Sequence, residues 1–172
     1  MVMTLTQRIL FSLVCTFSLL FGGIVCATAQ TAPPDLSVHG VVSKELQLTL
    51  ANLKQMPRTS VTAKDHGGTT RVYEGVALQA LLAEAGVPHG GEIRGKNMTL
   101  VVVTEASDGY RAVFSLAELD SDFSGAQVLV ADTVDGKPLA EKEGPLRLVV
   151  PGDKRPARWV RMLKSIKVAA TE

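Results

Sequence analysis

The 172 residues carry 18 Lys+Arg against 17 Asp+Glu, a formal charge of +1, with 46% hydrophobic and 20% charged side chains. That balance excludes a disordered chain, and it leaves no field of one sign strong enough to gather nucleic acid or anionic lipid. The length fits one medium domain and not two full ones.

Residues 1–29 read as a secretory signal peptide, with Arg8 as the positive start, an apolar run over 9–25, and the small-x-small cleavage pattern Ala27-Thr28-Ala29. The competing reading is an uncleaved membrane anchor; the apolar run is near the lower length for a span. Cleavage after Ala29 predicts a single domain over residues 30–172, exported to the periplasm, with no direct membrane insertion afterwards. Cys15 and Cys26 both lie in the leader, so the mature chain is expected to hold no thiol, no disulfide and no thiolate metal ligand. About 140 residues can still bury a self-sufficient core.

In chain order, residues 36–42 and 46–48 are expected as strands around a turn at Ser43-Lys44. Thr49 is the predicted N-cap of a helix over 50–55, stopped by Pro57. Residues 59–63 alternate as a strand and run into Asp65-His66-Gly67-Gly68, a loop signal. Leu78, Leu81, Leu82 and Ala85 share a helical stripe, predicting a helix over 76–85 with Gly86 just past its end. Residues 89–96 are a Gly-rich, charged loop, and 98–104 a buried strand that Ser107-Asp108-Gly109 turns into another over 110–114. Ser115 and Glu118 form a capping box for a short helix. Strands follow over 127–132 and 146–150, with a hairpin turn at Asp135-Gly136 between them. A basic loop over 153–158 leads through 159–163 to a last strand near 165–168. Short strands with a few short helices predict an α+β fold: mixed sheets with a Greek-key or barrel-like core.

Few residues carry chemistry. His39, His66 and His89 are far apart, and none has a second metal ligand at helix or hairpin spacing, so no metal is expected. No Gly-x-Ser-x-Gly elbow, His-Glu-x-x-His helix or phosphate loop occurs. His66 stands out because it ends a strand beside two glycines, where backbone can approach a ligand; a plain turn explains it equally well. The densest polar constellation is residues 151–161, where Lys154, Arg155, Arg158 and Arg161 surround the single tryptophan, Trp159. An indole or guanidinium face there offers a planar heterocycle something to stack on, with fork-shaped donors beside it. Arg161, two residues past the tryptophan, is expected to point to another face. The bland alternative makes Trp159 a core plug and the cations a solubilising rim. Asp108-Gly109-Tyr110 offers an acceptor and a stacking ring, or merely a turn; Asp132 is a ligand acceptor or a turn residue.

Three stretches together resemble the molybdopterin-binding domain of the sulfite oxidase family: residues 73–87, beginning Tyr73-Glu74-Gly75; Asp108-Gly109-Tyr110 with residues 114–119; and Asp135-Gly136-Lys137-Pro138-Leu139 continuing through residues 144–152, Gly-Pro-Leu-Arg-Leu-Val-Val-Pro-Gly. The resemblance implies the family's mixed α+β fold and a pterin cofactor. The family holds molybdenum through a cysteine at the end of an early strand; here that place reads Asp65-His66-Gly67-Gly68. The chain is also similar to a short, exported, cysteine-less branch of the family. That likeness implies a non-catalytic periplasmic protein that binds a pterin, either molybdopterin without molybdenum or a simpler reduced pterin. Its partner would be the periplasmic domain of a membrane-bound signalling enzyme of the cyclic-di-GMP type. The residues expected to line the pterin slot are His66, Asp108, Tyr110, Asp132, Lys154, Arg155, Arg158 and Trp159. The rival readings are a molybdopterin oxidoreductase, or its subunit, with a non-cysteine ligand set, and an adaptor whose pocket has closed.

Overall fold

A computed structural model describes residues 33–125 and 127–171; the expected leader lies outside them. The chain runs β1 (Leu36–Gly40), β2 (Leu46–Leu48), α1 (Leu50–Gln55), β3 (Arg58–Lys64), β4 (Thr70–Ala77) and α2 (Leu78–Glu84). It continues with β5 (Leu100–Ala106), β6 (Arg111–Ser115), α3 (Ser121–Ser124), β7 (Leu129–Val134), β8 (Lys137–Pro138), β9 (Arg147–Val149) and β10 (Leu163–Ala170). Single 3-10 turns fill several connections, among them Pro156–Arg158.

Two mixed or antiparallel sheets result. The first is ordered β2-β1-β10-β5-β6, and only its β1–β10 pairing is parallel. The second is ordered β3-β4-β7-β8, with β9 pairing the other half of the β7 edge that β8 uses. Among the described residues the sheets are open, so the mixed sheets and short helices are as expected but no closed barrel forms. One apolar core draws on both sheets: Leu36, Val38, Val102, Phe114, Ile166 and Val168 from the first, Val61, Tyr73, Val76, Leu129 and Leu148 from the second. Leu78, Leu81 and Leu82 of α2 complete it, which is the stripe read from the sequence.

Local chemistry sets the boundaries. The amide of Asn52 donates to Thr49 Oγ1 (3.2 Å) and the Asn52 side chain accepts from the Thr49 amide (2.9 Å), a capping box that starts α1. Gly86 takes φ +73° just past α2, a conformation a side chain resists. The helix expected over 76–85 begins two residues later, because Val76 and Ala77 end β4. That strand escapes sequence reading: Arg71, Glu74 and Gly75 break the alternation, and pairing on both sides by β3 and β7 supplies what local propensity lacks. No helix among the described residues is long and apolar enough to cross a membrane.

Candidate functional site

Three loops converge. The β3–β4 turn is built by Asp65, whose Oδ1 accepts from the Gly67 and Thr69 amides (2.8 and 2.9 Å) and whose Oδ2 accepts from Arg71 Nε (3.0 Å). Those bonds hold the Asp65 carboxyl below the usual carboxylate range, the Arg71 contact most of all, and they present His66 at the tip. The β5–β6 turn is an Asx turn: Asp108 Oδ1 accepts from the Tyr110 amide (2.9 Å), and Gly109 takes φ +86°. The third loop follows β9. Tyr110 Oη donates to Ala157 O at 2.6 Å, tying the second loop to the third.

Between these loops lies a cleft of about 210 Å³ lined by His66, Asp108, Tyr110, Pro156, Ala157, Trp159 and Arg161. It offers a carboxylate acceptor, an imidazole, a guanidinium fork and a phenol ring. That set suits a flat, polar heterocycle with an amidine-like edge.

Of the eight residues expected in the slot, the structure gathers His66, Asp108, Tyr110 and Trp159. It places the other four elsewhere. Arg158 is committed to a bidentate pair with Asp153 (Nε 3.1 Å, Nη2 2.7 Å), a contact to Glu118 (3.2 Å), and the face of Phe114, 4.5 Å from the ring centre. The Asp153 pair, more than any other contact, strengthens its hold on its proton. Asp132 is buried beneath a bidentate Arg58 (2.6 and 2.7 Å) and accepts from Thr133 Oγ1 (2.7 Å), so its carboxylate closes a sheet and does not face the cleft. Lys154 and Arg155 are exposed and lie outside the cleft lining, as rim cations.

Arg161, expected on another face, lines the cleft. Side chains two apart in extended backbone share a face, and residues 159–162, which lie in no strand, carry Arg161 to the same cleft as Trp159; Met162, next along, takes φ +50° and its amide donates to Glu143 O (3.0 Å).

Trp159 is 3% exposed, and its indole N–H donates to Val150 O at 2.9 Å. It forms the cleft floor rather than a free stacking plate. Tyr73 meets it edge-on at 5.7 Å, and burial pushes the Tyr73 phenol pKa up. Arg147 sits against both rings, its guanidinium carbon 5.6 Å from the Tyr73 ring centre and 5.4 Å from that of Trp159. Its side chain is 1% exposed; Nη1 reaches Glu143 Oε1 (3.0 Å) while Nε and Nη2 have no partner among the described residues. Sequence reading passed over Arg147, yet a cation inside the apolar run 146–150 is itself a signal.

The fold is that of a sulfite oxidase-like, mixed α+β domain. The chain belongs to the oxidoreductase molybdopterin binding domain family, whose profile matches residues 27–172. Among solved structures it is similar to the sulfane dehydrogenase SoxCD from Paracoccus pantotrophus, at 27% identity and a TM-score of 0.63 over 79% of this chain. It spans 38% of the length of that chain. A comparison with curated proteins finds no match.

The family implies a pterin-type cofactor, and the cleft's donors and acceptors fit the heterocyclic part of one. A thiolate-held metal does not fit the donors present. Residues 27–172 contain no cysteine, and the described His, Asp and Glu residues form no group of three placed to hold a metal ion.

Proposed function

We propose that this protein is a periplasmic, non-catalytic pterin-binding protein that reports its ligand state to a membrane-bound signalling partner. The observation that carries the reading is the cleft itself. It keeps an acceptor (Asp108), an imidazole (His66) and a guanidinium (Arg161) around a rigid aromatic floor, in a family that binds molybdopterin, without the sulfur donor that family uses for molybdenum. The leader read in residues 1–29 supports export, and the partner is inferred from the likeness to the short exported branch.

Mass spectrometry and fluorescence of the small molecule that co-purifies with the protein test this. A pterin emission is expected, weakened at least about tenfold in affinity by Arg161→Met, roughly one charge-assisted hydrogen bond. Arg158→Ala should leave binding close to wild type, because that guanidinium is spent on Asp153 and Glu118. Trp159→Ala is the wrong probe; losing a buried indole costs about 3–5 kcal/mol of stability before any ligand is considered. Folded protein that neither retains nor takes up a pterin overturns the reading.

The oxidoreductase reading is favoured by the similarity to a sulfane dehydrogenase. Stoichiometric molybdenum with dye-linked electron transfer in protein from its native compartment would establish it instead.

A further inference from the structure

Two of the cleft's three loops are fixed through their backbones. In the β5–β6 turn, Gly109 N donates to Ala106 O (3.1 Å) and Ala106 N to Tyr110 O (2.9 Å). Ser107 N donates to Met162 O (2.9 Å), which ties the foot of this turn to the chain just past Arg161. The third loop is held by Leu148 N on Val160 O (2.8 Å) and by the grip of Arg158 on Asp153 and Glu118.

The Tyr110 side chain leaves the second loop and ends on the third, where its hydroxyl donates to Ala157 O. Together with the Ser107–Met162 bond this closes a ring of chain, residues 107–110 and 157–162. Asp108, Tyr110, Ala157, Trp159 and Arg161, most of the cleft lining, belong to that ring. Tyr110 is 50% exposed, and the bond to Ala157 is the one hydrogen bond its side chain makes among the described residues. A Cβ on neighbouring Gly109 would meet nothing within 4 Å, so no packing pins the turn from that side. The floor is enclosed differently. Trp159 has its N–H on Val150 O, Tyr73 edge-on and Arg147 against its ring, leaving the cleft as its approach.

A half-exposed side chain held by one bond between two fixed loops is the part free to move, since exposed rotamers exchange quickly once such a bond breaks. We infer that Tyr110 is the gate of the cleft. With its hydroxyl on Ala157 O the cleft is closed on that side and keeps its ligand; rotation of the ring off that carbonyl admits or releases it. The hydroxyl is spent on the gate, so the ring and not its oxygen meets the ligand. That the ligand is a pterin rests on the function proposed above; the gate acts on any solute that fits.

Trp159 is the chain's single tryptophan, so acrylamide quenching of its fluorescence in the ligand-stripped protein reports access to the floor. Tyr110→Phe keeps the ring and removes the bond. It is expected to raise the quenching constant about threefold over wild type, and Tyr110→Ala to raise it further. The urea midpoint of Tyr110→Phe should stay at the wild-type value, because the backbone bonds remain. Stopped-flow fluorescence with 6-hydroxymethylpterin gives the second readout: Tyr110→Phe should speed both association and dissociation, dissociation by about tenfold. A residue that only stacks on the ligand would leave Tyr110→Phe at wild-type quenching and rates, and that result overturns the inference. So does a rise in quenching that comes with a lowered urea midpoint, which would make the bond a structural one. Protein that takes up no pterin refutes the proposed function instead, and quenching alone then decides the gate.

Discussion

Arg147 shows how much one side chain can organise. It is the largest fully buried residue, held between Tyr73 and Trp159 with a single carboxylate contact. Two of its donors are desolvated and unpaired, so the charge contributes less than its central position implies. Arg147→Met, which keeps most of the volume, is expected to change unfolding free energy by less than about 1 kcal/mol. Arg147→Ala, which empties the space, should cost about 3 kcal/mol. Urea denaturation of the two variants checks this, and equal losses would mean that the charge, not the volume, holds the rings. Arg158 teaches the converse. Its sequence setting beside Trp159 suggested a ligand contact, but Asp153 and Glu118, five and forty residues away, had already claimed it.

Among the elements, β4 is the one that sequence periodicity missed and the fold cannot lack. It is paired on both sides, and a register shift falls between Glu74 and Gly75. A Cβ on Gly75 would meet Val130 O and lie 2.7 Å from Ala131 Cα, both rigid backbone of β7. Gly75→Ala is therefore expected to destabilise by at least about 3 kcal/mol, beyond ordinary overpacking, because the strands themselves must part. Thermal unfolding checks it; a loss under 1 kcal/mol would show that β7 can yield. The elements read correctly were those with local chemistry: the Thr49 N-cap, the Gly86 helix end, the Ser115–Glu118 box and the Asp135-Gly136 turn.

For the whole molecule, acid is the revealing stress. Burial works against ionisation of Asp132, yet the Arg58 fork and the Thr133 hydroxyl more than offset it and hold its carboxyl below the usual range. Burial likewise opposes ionisation of Asp120, but the Gly90 and Asp122 amides and Gln79 bring it below that range. A carboxyl depressed in the folded state stabilises fully above its unfolded pKa, and that contribution is lost as pH falls through the folded value. Stability should thus decline as pH drops below about 4. Asp132→Asn should cost about 1–3 kcal/mol at pH 7 and flatten the decline, since the group that titrates is gone. Denaturant midpoints between pH 7 and pH 3 measure both, and an unchanged pH slope would show that the Arg58 pair does not link to folding.

By itself the sequence determined the mixed α+β class, the family, most turns and caps, and the three loops that form the cleft. Each of these is encoded within a few neighbouring residues. Only tertiary structure decided that Asp132 and Arg158 are spent on distant partners, that Trp159 is a floor, and that Arg161 joins the cleft. Those outcomes depend on which charges and loops arrive from elsewhere in the chain, and that leaves no trace in local residue order.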